Sequence, residues 1–219
     1  MPDLHSLLLF IGAGLLLNLT PGPDVFFIIA NALRGGARPG MVAALGITAG
    51  CCVHIVAAAV GVSALVAASA TAFTLLKWVG AAYLVYMGMS ALLARKSPDA
   101  PDLMALRADE GDGSLWRVFR RGFLTNALNP KVALFFLAFV PQFIAPGSAH
   151  APLVFLALGL LFNLNGLWVN IGWALAAAWA ARRVGAVQRG MHWLERAAGA
   201  VFVAFGIRLA MAEAPGAAP

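Results

Sequence analysis

The sequence predicts an all-α polytopic membrane protein: six transmembrane helices in two inverted three-helix repeats, with broken first and fourth helices. Three observations predict this class. Hydrophobic residues make up 62% of the chain, charged residues make up 11%, and the mean hydropathy is +0.86, whereas a soluble domain averages about 25% charged residues. The windows 41–76 and 132–181 contain no Asp, Glu, Lys or Arg. Prolines interrupt two of the apolar stretches at corresponding places, near 21–23 and at Pro130.

The apolar stretches divide into six spans, because about 20 apolar residues cross the hydrocarbon core of a bilayer. The first span is expected to break near 18–24 and the fourth near 129–130. The predicted spans are 4–33, 41–68, 72–94, 122–145, 152–181 and 194–212. The chain therefore divides into a first transmembrane repeat (1–94), a cytoplasmic linker (95–121), a second repeat (122–212) and a C-terminal tail (213–219).

An internal similarity supports two repeats. Segment 80–88 of the third span and segment 199–206 of the sixth share the spacing Gly-x-x-aromatic-x-x-aromatic. Each half also opens with a helix that proline interrupts. Three spans per half is an odd number, so the two halves have opposite topologies, which is typical of inverted-repeat transporters.

The basic residues indicate the orientation. With six spans, the first, third and fifth loops lie on one side of the membrane, and the other side has only Lys77 and Arg208. By the positive-inside rule the side rich in Lys and Arg is cytoplasmic, so both termini are predicted to be periplasmic. The N-terminus lacks the basic region of a secretory signal, so the first span is expected to be retained. The twelve cytoplasmic basic residues are Arg34, Arg38, Arg95, Lys96, Arg107, Arg117, Arg120, Arg121, Arg182, Arg183, Arg189 and Arg196.

The break in the first span predicts a polar site inside the membrane. Proline cannot continue a helix, and a broken backbone in lipid is tolerated only where protein or a water-lined cavity satisfies its polar groups. Thr20 is expected to cap a half-helix that starts at Pro21, with its positive end at the break. Asp24 then either complements this dipole or binds an ammonium group or a proton. The candidate residues here are Asn18, Thr20, Pro21, Gly22, Pro23 and Asp24.

The break in the fourth span supplies the candidates Asn126, Asn129, Pro130 and Lys131. Asn129 is expected to cap a half-helix that starts at Pro130, which places Lys131 near a positive helix end. A lysine there needs an anion, either Asp24 or a ligand carboxylate, unless its ammonium group extends to the cytoplasmic interface. Together the two breaks are suited to bind both ends of a zwitterion.

Further polar residues lie in the other spans. Asn163 and Asn170 are seven residues apart and share a helix face, whereas Asn165 lies off it. They either line a cavity or join helices, and Asn163 is included among the candidate site residues. His54 is isolated in an apolar span and is interpreted as a packed histidine in preference to a proton relay.

A GxxxG pair in the second span, Gly46 and Gly50, permits a close helix approach. The neighbouring helix belongs either to the same chain or to a second copy, so a homodimer stays open.

Several function classes are not supported. The sequence has no His-Glu-x-x-His or Gly-x-Ser-x-Gly motif, so an enzyme is not expected. The net charge of +6 comes from loops between spans and does not indicate nucleic-acid binding. No cofactor or metal site is predicted, since a metal exporter would need several intramembrane carboxylates or His and Cys ligands.

The motifs Asn18-x-x-Pro-Gly-Pro-Asp24 and Asn129-Pro-Lys131, the latter followed by Phe-Phe and by Pro141-Gln-Phe143, resemble the lysine exporter (LysE) translocator superfamily. The chain is most similar to its homoserine/threonine-resistance (RhtB) branch. This resemblance implies a secondary transporter in the bacterial inner membrane that exports amino acids or derivatives such as threonine, homoserine, leucine or lysine, in exchange for protons. The alternative is an exporter of metal ions or of another small metabolite on the same fold.

Overall fold

The computed structural model describes residues 3–68, 114–144 and 150–181, with the backbone alone at 62–68, and isolated helical positions within 75–89 and 199–207. All the regular elements in these ranges are helical. The predicted linker up to residue 113, most of the repeat signature and most of the spans 72–94 and 194–212 lie outside the described residues, as does the tail 213–219. The elements are α1 (Leu4–Leu19), α2 (Pro23–Gly35), α3 (Ala37–Ala68), α4 (Leu115–Ala127), α5 (Pro130–Phe143) and α6 (Ala151–Ala180).

Among the residues that the structure describes, two uninterrupted helices are long and apolar enough to cross a membrane. They are Ala37–Gly61 of α3 and Ala151–Ala180 of α6, with mean hydropathies of 2.0 and 1.8. The pair α1 and α2 is bent by 51°, and the pair α4 and α5 is bent by 45°. If each bent pair is one span, the described residues contain four spans. The predicted breaks in the first and fourth spans are therefore confirmed.

The ends of these helices follow local sequence signals. Asp3 caps α1, because its Oδ1 accepts the Ser6 N–H at 2.7 Å, and this bond holds the pKa of that exposed carboxyl below its usual range. At the end of α2, Gly36 adopts φ 81°, which favours glycine, and its N–H donates to the Ala32 carbonyl at 2.9 Å.

Helix α4 begins at Leu115, inside the segment 95–121 that was predicted to be a linker. From residue 115 onward the mixed polarity reflects an amphipathic helix: Arg117, Arg120 and Arg121 are exposed, while Gly122 and Asn126 are buried. One polar face therefore makes the start of the helix resemble a solvated loop in composition.

Helices α3 and α4 pack with their backbones in close contact at three glycines. A Cβ at Gly46 would overlap the carbonyl oxygen of Phe119, and one at Gly50 would overlap that of Phe123. From the other side, a Cβ at Gly122 would lie 2.8 Å from the Ala43 carbonyl oxygen. The helix that approaches the Gly46 and Gly50 pair thus belongs to the same chain.

The apolar packing differs on the two sides of the breaks. One side is filled by seven phenylalanine rings from α1, α5 and α6, with the Phe135 and Phe162 centroids 4.6 Å apart. The other side is built largely from alanine and aliphatic residues of α2, α3 and α6. The first break separates Leu17 of the first cluster from Val25 of the second along the chain. The seven phenylalanines are Phe10, Phe135, Phe136, Phe139, Phe143, Phe155 and Phe162.

Gly46→Ala is expected to destabilise the protein by about 1–3 kcal/mol, the usual cost of overpacking, because its new methyl group meets a backbone carbonyl that cannot rotate away. Gly61→Ala on the same helix is the matched control, since a Cβ there has no neighbour within 4 Å among the described residues. Thermal unfolding of the purified variants in detergent measures both. Equal midpoints for the two variants would contradict the close packing of α3 and α4.

Candidate binding site at the helix breaks

The first break is set by the two residues that precede prolines. A residue before proline is disfavoured in the α conformation, and both Thr20 (φ −68°, ψ 121°) and Gly22 (φ −168°, ψ −173°) are extended. Helix α1 therefore ends before Thr20, and α2 begins at Pro23 with Asp24 in its first turn. The prediction that Thr20 caps a helix starting at Pro21 is wrong: Gly22 is the N-cap of α2, and the Thr20 hydroxyl donates to the Leu16 carbonyl at 2.6 Å.

Lys131 stabilises the end of α1. Its Nζ donates to the carbonyl oxygens of Leu17 at 2.8 Å and Thr20 at 3.1 Å. In an unbroken helix the N–H of residue 21 would donate to the Leu17 carbonyl, and Pro21 has none. The ammonium group thus replaces a missing backbone donor and lies at the negative end of a helix dipole. It points to the first break, where it contacts both carbonyl oxygens.

The second break follows the same rule. Asn129, which precedes Pro130, is extended (φ −78°, ψ 110°) and caps α5 as predicted, with its Oδ1 accepting the Lys131 N–H at 3.0 Å. Pro130 lacks the N–H that would pair with the Asn126 carbonyl. That carbonyl instead accepts the Asn129 N–H at 2.8 Å and the His54 Nε2 at 2.8 Å.

A side-chain hydrogen bond joins the two breaks. Asn126, from the last turn of α4, donates through Nδ2 to the Asp24 Oδ2 at 2.8 Å. Asp24 belongs to the first turn of α2, and Lys131 to the first turn of α5. Each break is therefore contacted by a residue from the other broken helix, and the arrangement is reciprocal.

A cavity lies between the breaks, with about 480 Å³ of empty space, part of it open to the outside of the protein. Its polar lining is Asn18, Thr20, Asp24, Thr48, Asn126, Asn129, Lys131, Asn163 and Asn170. Its remaining lining is Leu17, Gly22, Val25, Ile47, Cys51, Val132, Phe162 and Gly166.

The cavity brings together eight of the eleven candidate residues that the sequence predicts. The other three are the prolines Pro21, Pro23 and Pro130, which shape the backbone at the breaks without lining the cavity. Thr48 and Gly166 were missed, because a threonine or a glycine in an apolar helix gives no sequence signal of its own. Both Asn163 and Asn170 line the cavity, while Asn165 does not, as their spacing indicates.

Four polar side-chain atoms at the cavity are buried and have no hydrogen bond of good geometry among the described residues, although the Asn129 amide lies near the Asp24 carboxylate. Two are acceptors, Oδ1 of Asp24 and Oδ1 of Asn126, and two are donors, Nδ2 of Asn18 and Nδ2 of Asn129. The capping bond to the Lys131 N–H fixes the orientation of the Asn129 amide, and the bond to Asp24 fixes that of the Asn126 amide. A buried polar group without a partner costs about 1–3 kcal/mol. The cavity therefore suits a ligand that carries both donors and acceptors.

Within the described ranges, no three His, Cys, Asp or Glu side chains are close enough together to hold a metal ion.

Comparisons with known proteins agree with a membrane transporter. The LysE type translocator family model matches residues 15–213. An uncharacterized membrane protein of Vibrio cholerae is 35% identical over 212 residues, which is 97% of this chain and 100% of the relative. The homoserine/homoserine lactone efflux protein of Salmonella typhimurium is 32% identical, covering 90% and 92% of the two chains. The leucine efflux protein of the same organism is 27% identical, covering 88% of each. No solved structure matches significantly.

Lys131→Met is expected to lower the free energy of unfolding by about 1–3 kcal/mol, because it leaves the Leu17 and Thr20 carbonyls without this donor. Lys131→Arg keeps a cationic donor and is expected to lose less. Thermal unfolding in detergent, without added ligand, compares the two variants. A Met variant as stable as the wild type would contradict the structural role of Lys131 at the first break.

Proposed function

Because the chain belongs to the LysE type translocator family, and is therefore a transporter and not an enzyme, we propose that it exports amino acids or their derivatives. The names of two relatives, a homoserine/homoserine lactone efflux protein and a leucine efflux protein, support this substrate class. The proposal includes a bacterial inner-membrane location, six spans as two inverted repeats, and periplasmic termini. Twelve of the fifteen basic residues in the loops of one side support that orientation.

The observation that carries the proposal is the set of unpartnered atoms between the breaks. A zwitterionic amino acid has N–H donors at one end and carboxylate acceptors at the other. The acceptors Asp24 Oδ1 and Asn126 Oδ1 suit the ammonium group, and the donors Asn18 Nδ2 and Asn129 Nδ2 suit the carboxylate. Lys131, which lines the same cavity, adds positive charge on the carboxylate side. Binding would thus satisfy polar groups that the protein leaves unpaired.

Asp24 also supports proton coupling. Its carboxylate can hold either a substrate ammonium group or a proton, so the two compete for one site. Apart from Asp24, the acidic residues of the whole sequence lie at Asp3, in the segment 95–121, and from Glu195 onward. On the outside, the substrate is released and Asp24 then binds a proton. On the inside, the proton is released and Asp24 binds a substrate. Each cycle exchanges one proton for one amino acid.

The charges in the cavity favour substrates with uncharged side chains. Among the residues lining it, Asp24 and Lys131 carry opposite charges and balance each other. A neutral amino acid keeps that balance, whereas lysine adds a positive charge with no second carboxylate in the lining. A charge in the membrane interior costs about 2.5–3.5 kcal/mol by insertion measurements. The apolar lining, which includes Ile47 and Phe162, suits a short aliphatic side chain.

Export from cells that lack their own amino-acid exporters tests the function. The cells are fed dipeptides, and threonine, homoserine, leucine and lysine are followed in the medium. Wild type is expected to release one or more of the neutral amino acids at least tenfold faster than lysine, since 1.4 kcal/mol corresponds to tenfold. Asp24→Asn is expected to abolish this release, and a protonophore is expected to slow it in wild type.

Asp3→Asn is the matched control, because asparagine keeps the N-cap of α1 and Asp3 lies away from the cavity. It is expected to export like the wild type. Release of none of these amino acids would contradict the function and bring metal ions or other metabolites forward. Full export by Asp24→Asn would contradict the site, and preferential release of lysine would contradict the charge argument alone.

A further inference from the structure

His54 lies outside the cavity lining but contacts the second break directly. Its Nε2 is 2.8 Å from the backbone oxygen of Asn126. A carbonyl oxygen can only accept, so Nε2 is the protonated nitrogen in this bond. The imidazole ring also stacks on Phe136, with centroids 6.5 Å apart and planes 4° from parallel. The ring is therefore held by a packing contact on its face and a hydrogen bond at its edge.

We propose that His54 is a positioning residue of the transport site, which fixes Asn126 and through it the carboxylate of Asp24. This inference rests on the proposed function. Asn126 is 3% exposed, and it is held through its backbone by His54 while its side chain donates to Asp24. The acceptor pair assigned to the substrate ammonium group therefore depends on where His54 places Asn126.

The need for such a donor follows from Pro130. The Asn126 carbonyl is at the end of α4, where the N–H of residue 130 would complete the helical bond if it were not proline. This oxygen accepts local backbone N–H groups, that of Asn129 at 2.8 Å among them, and His54 is its donor from another helix. His54 and Lys131 thus perform the same task at the two breaks: each supplies a donor from another helix to a carbonyl that a proline has freed.

Helix α3 holds Asn126 at a second level, one turn before His54. A Cβ at Gly50 would lie 3.0 Å from the Asn126 Cβ, so the two helices are in close contact there. This contact restricts the shift of α4 toward α3, and the His54 bond restricts its shift away. Asn126 is thereby fixed in two directions by residues of one helix.

A positioning role differs from proton relay in what it requires of the side chain. A donor to a carbonyl keeps its Nε2 proton whether the imidazole is neutral or charged, so the bond does not depend on titration of the ring. An amide N–H at the same place can replace it. A proton relay, in contrast, requires a group that gains and loses a proton.

Two substitutions separate hydrogen-bond donation by the His54 ring from its stacking on Phe136. His54→Gln keeps an N–H donor at the same number of bonds from Cβ, whereas His54→Phe keeps the stacking on Phe136 and removes the donor. Uptake of a labelled amino acid that wild type exports is measured in inverted vesicles over a range of concentration and pH. His54→Phe is expected to raise KM about tenfold with Vmax within twofold. His54→Gln is expected to retain the wild-type KM within threefold and the wild-type pH profile.

Each other outcome overturns the inference. Wild-type KM in both variants would show that the bond to Asn126 does not position the site. Loss of transport in His54→Gln, or a changed pH profile, would show that the imidazole carries a proton. If His54→Phe does not fold, the KM and pH profile of His54→Gln still decide between these outcomes. A wild type that transports no amino acid would overturn the proposed function. If the wild type transports normally, a wild-type KM in both variants, or a loss of transport or a changed pH profile in His54→Gln, would overturn only the role of His54.

Discussion

The constraint on which this structure depends is the missing N–H of proline inside a membrane. Pro21 and Pro130 each free a carbonyl of the preceding helix, and lipid offers no donor to satisfy it. The protein supplies donors from other helices: Lys131 donates to the Leu17 and Thr20 carbonyls, and His54 donates to the Asn126 carbonyl beside the local N–H of Asn129. The chain is thus folded so that the polar ends of four half-helices meet, and the polar cavity is a consequence of that meeting.

Apart from His54, the side chains that hold the breaks together also line the cavity. Lys131 comes from α5 and contacts the end of α1, while Asp24 comes from α2 and contacts Asn126 at the end of α4. A movement of one broken helix relative to the other therefore changes both contacts at once. In the proposed function, a substrate or proton that competes for Asp24 would act on the same hydrogen bonds that set the relative position of the helices. Binding at Asp24 would therefore change the contacts that hold the broken helices together.

The sequence predicts what local chemistry determines. Proline, glycine and asparagine locate both breaks, and the Asn129 cap is correct because a residue before proline is extended. The same rule, applied to Gly22, places the start of α2 at Pro23, whereas the prediction placed it at Pro21. The partners of Lys131 and His54 are more than seventy residues away in sequence, as is the α4 backbone that Gly46 approaches. Such contacts depend on tertiary packing, which no local pattern encodes.

The central claim is that both breaks form one binding site, and ligand-induced stabilisation of the purified protein tests it most directly. The wild type is expected to gain about 2.7 kcal/mol at a neutral amino-acid concentration a hundredfold above Kd, measured as a rise in Tm. Asp24→Asn at the first break and Asn129→Ser at the second, which keeps a capping oxygen but lacks the Nδ2 donor, are each expected to lose this rise. A full rise in Tm that persists in either variant would contradict the claim, because the substrate would then not depend on that break.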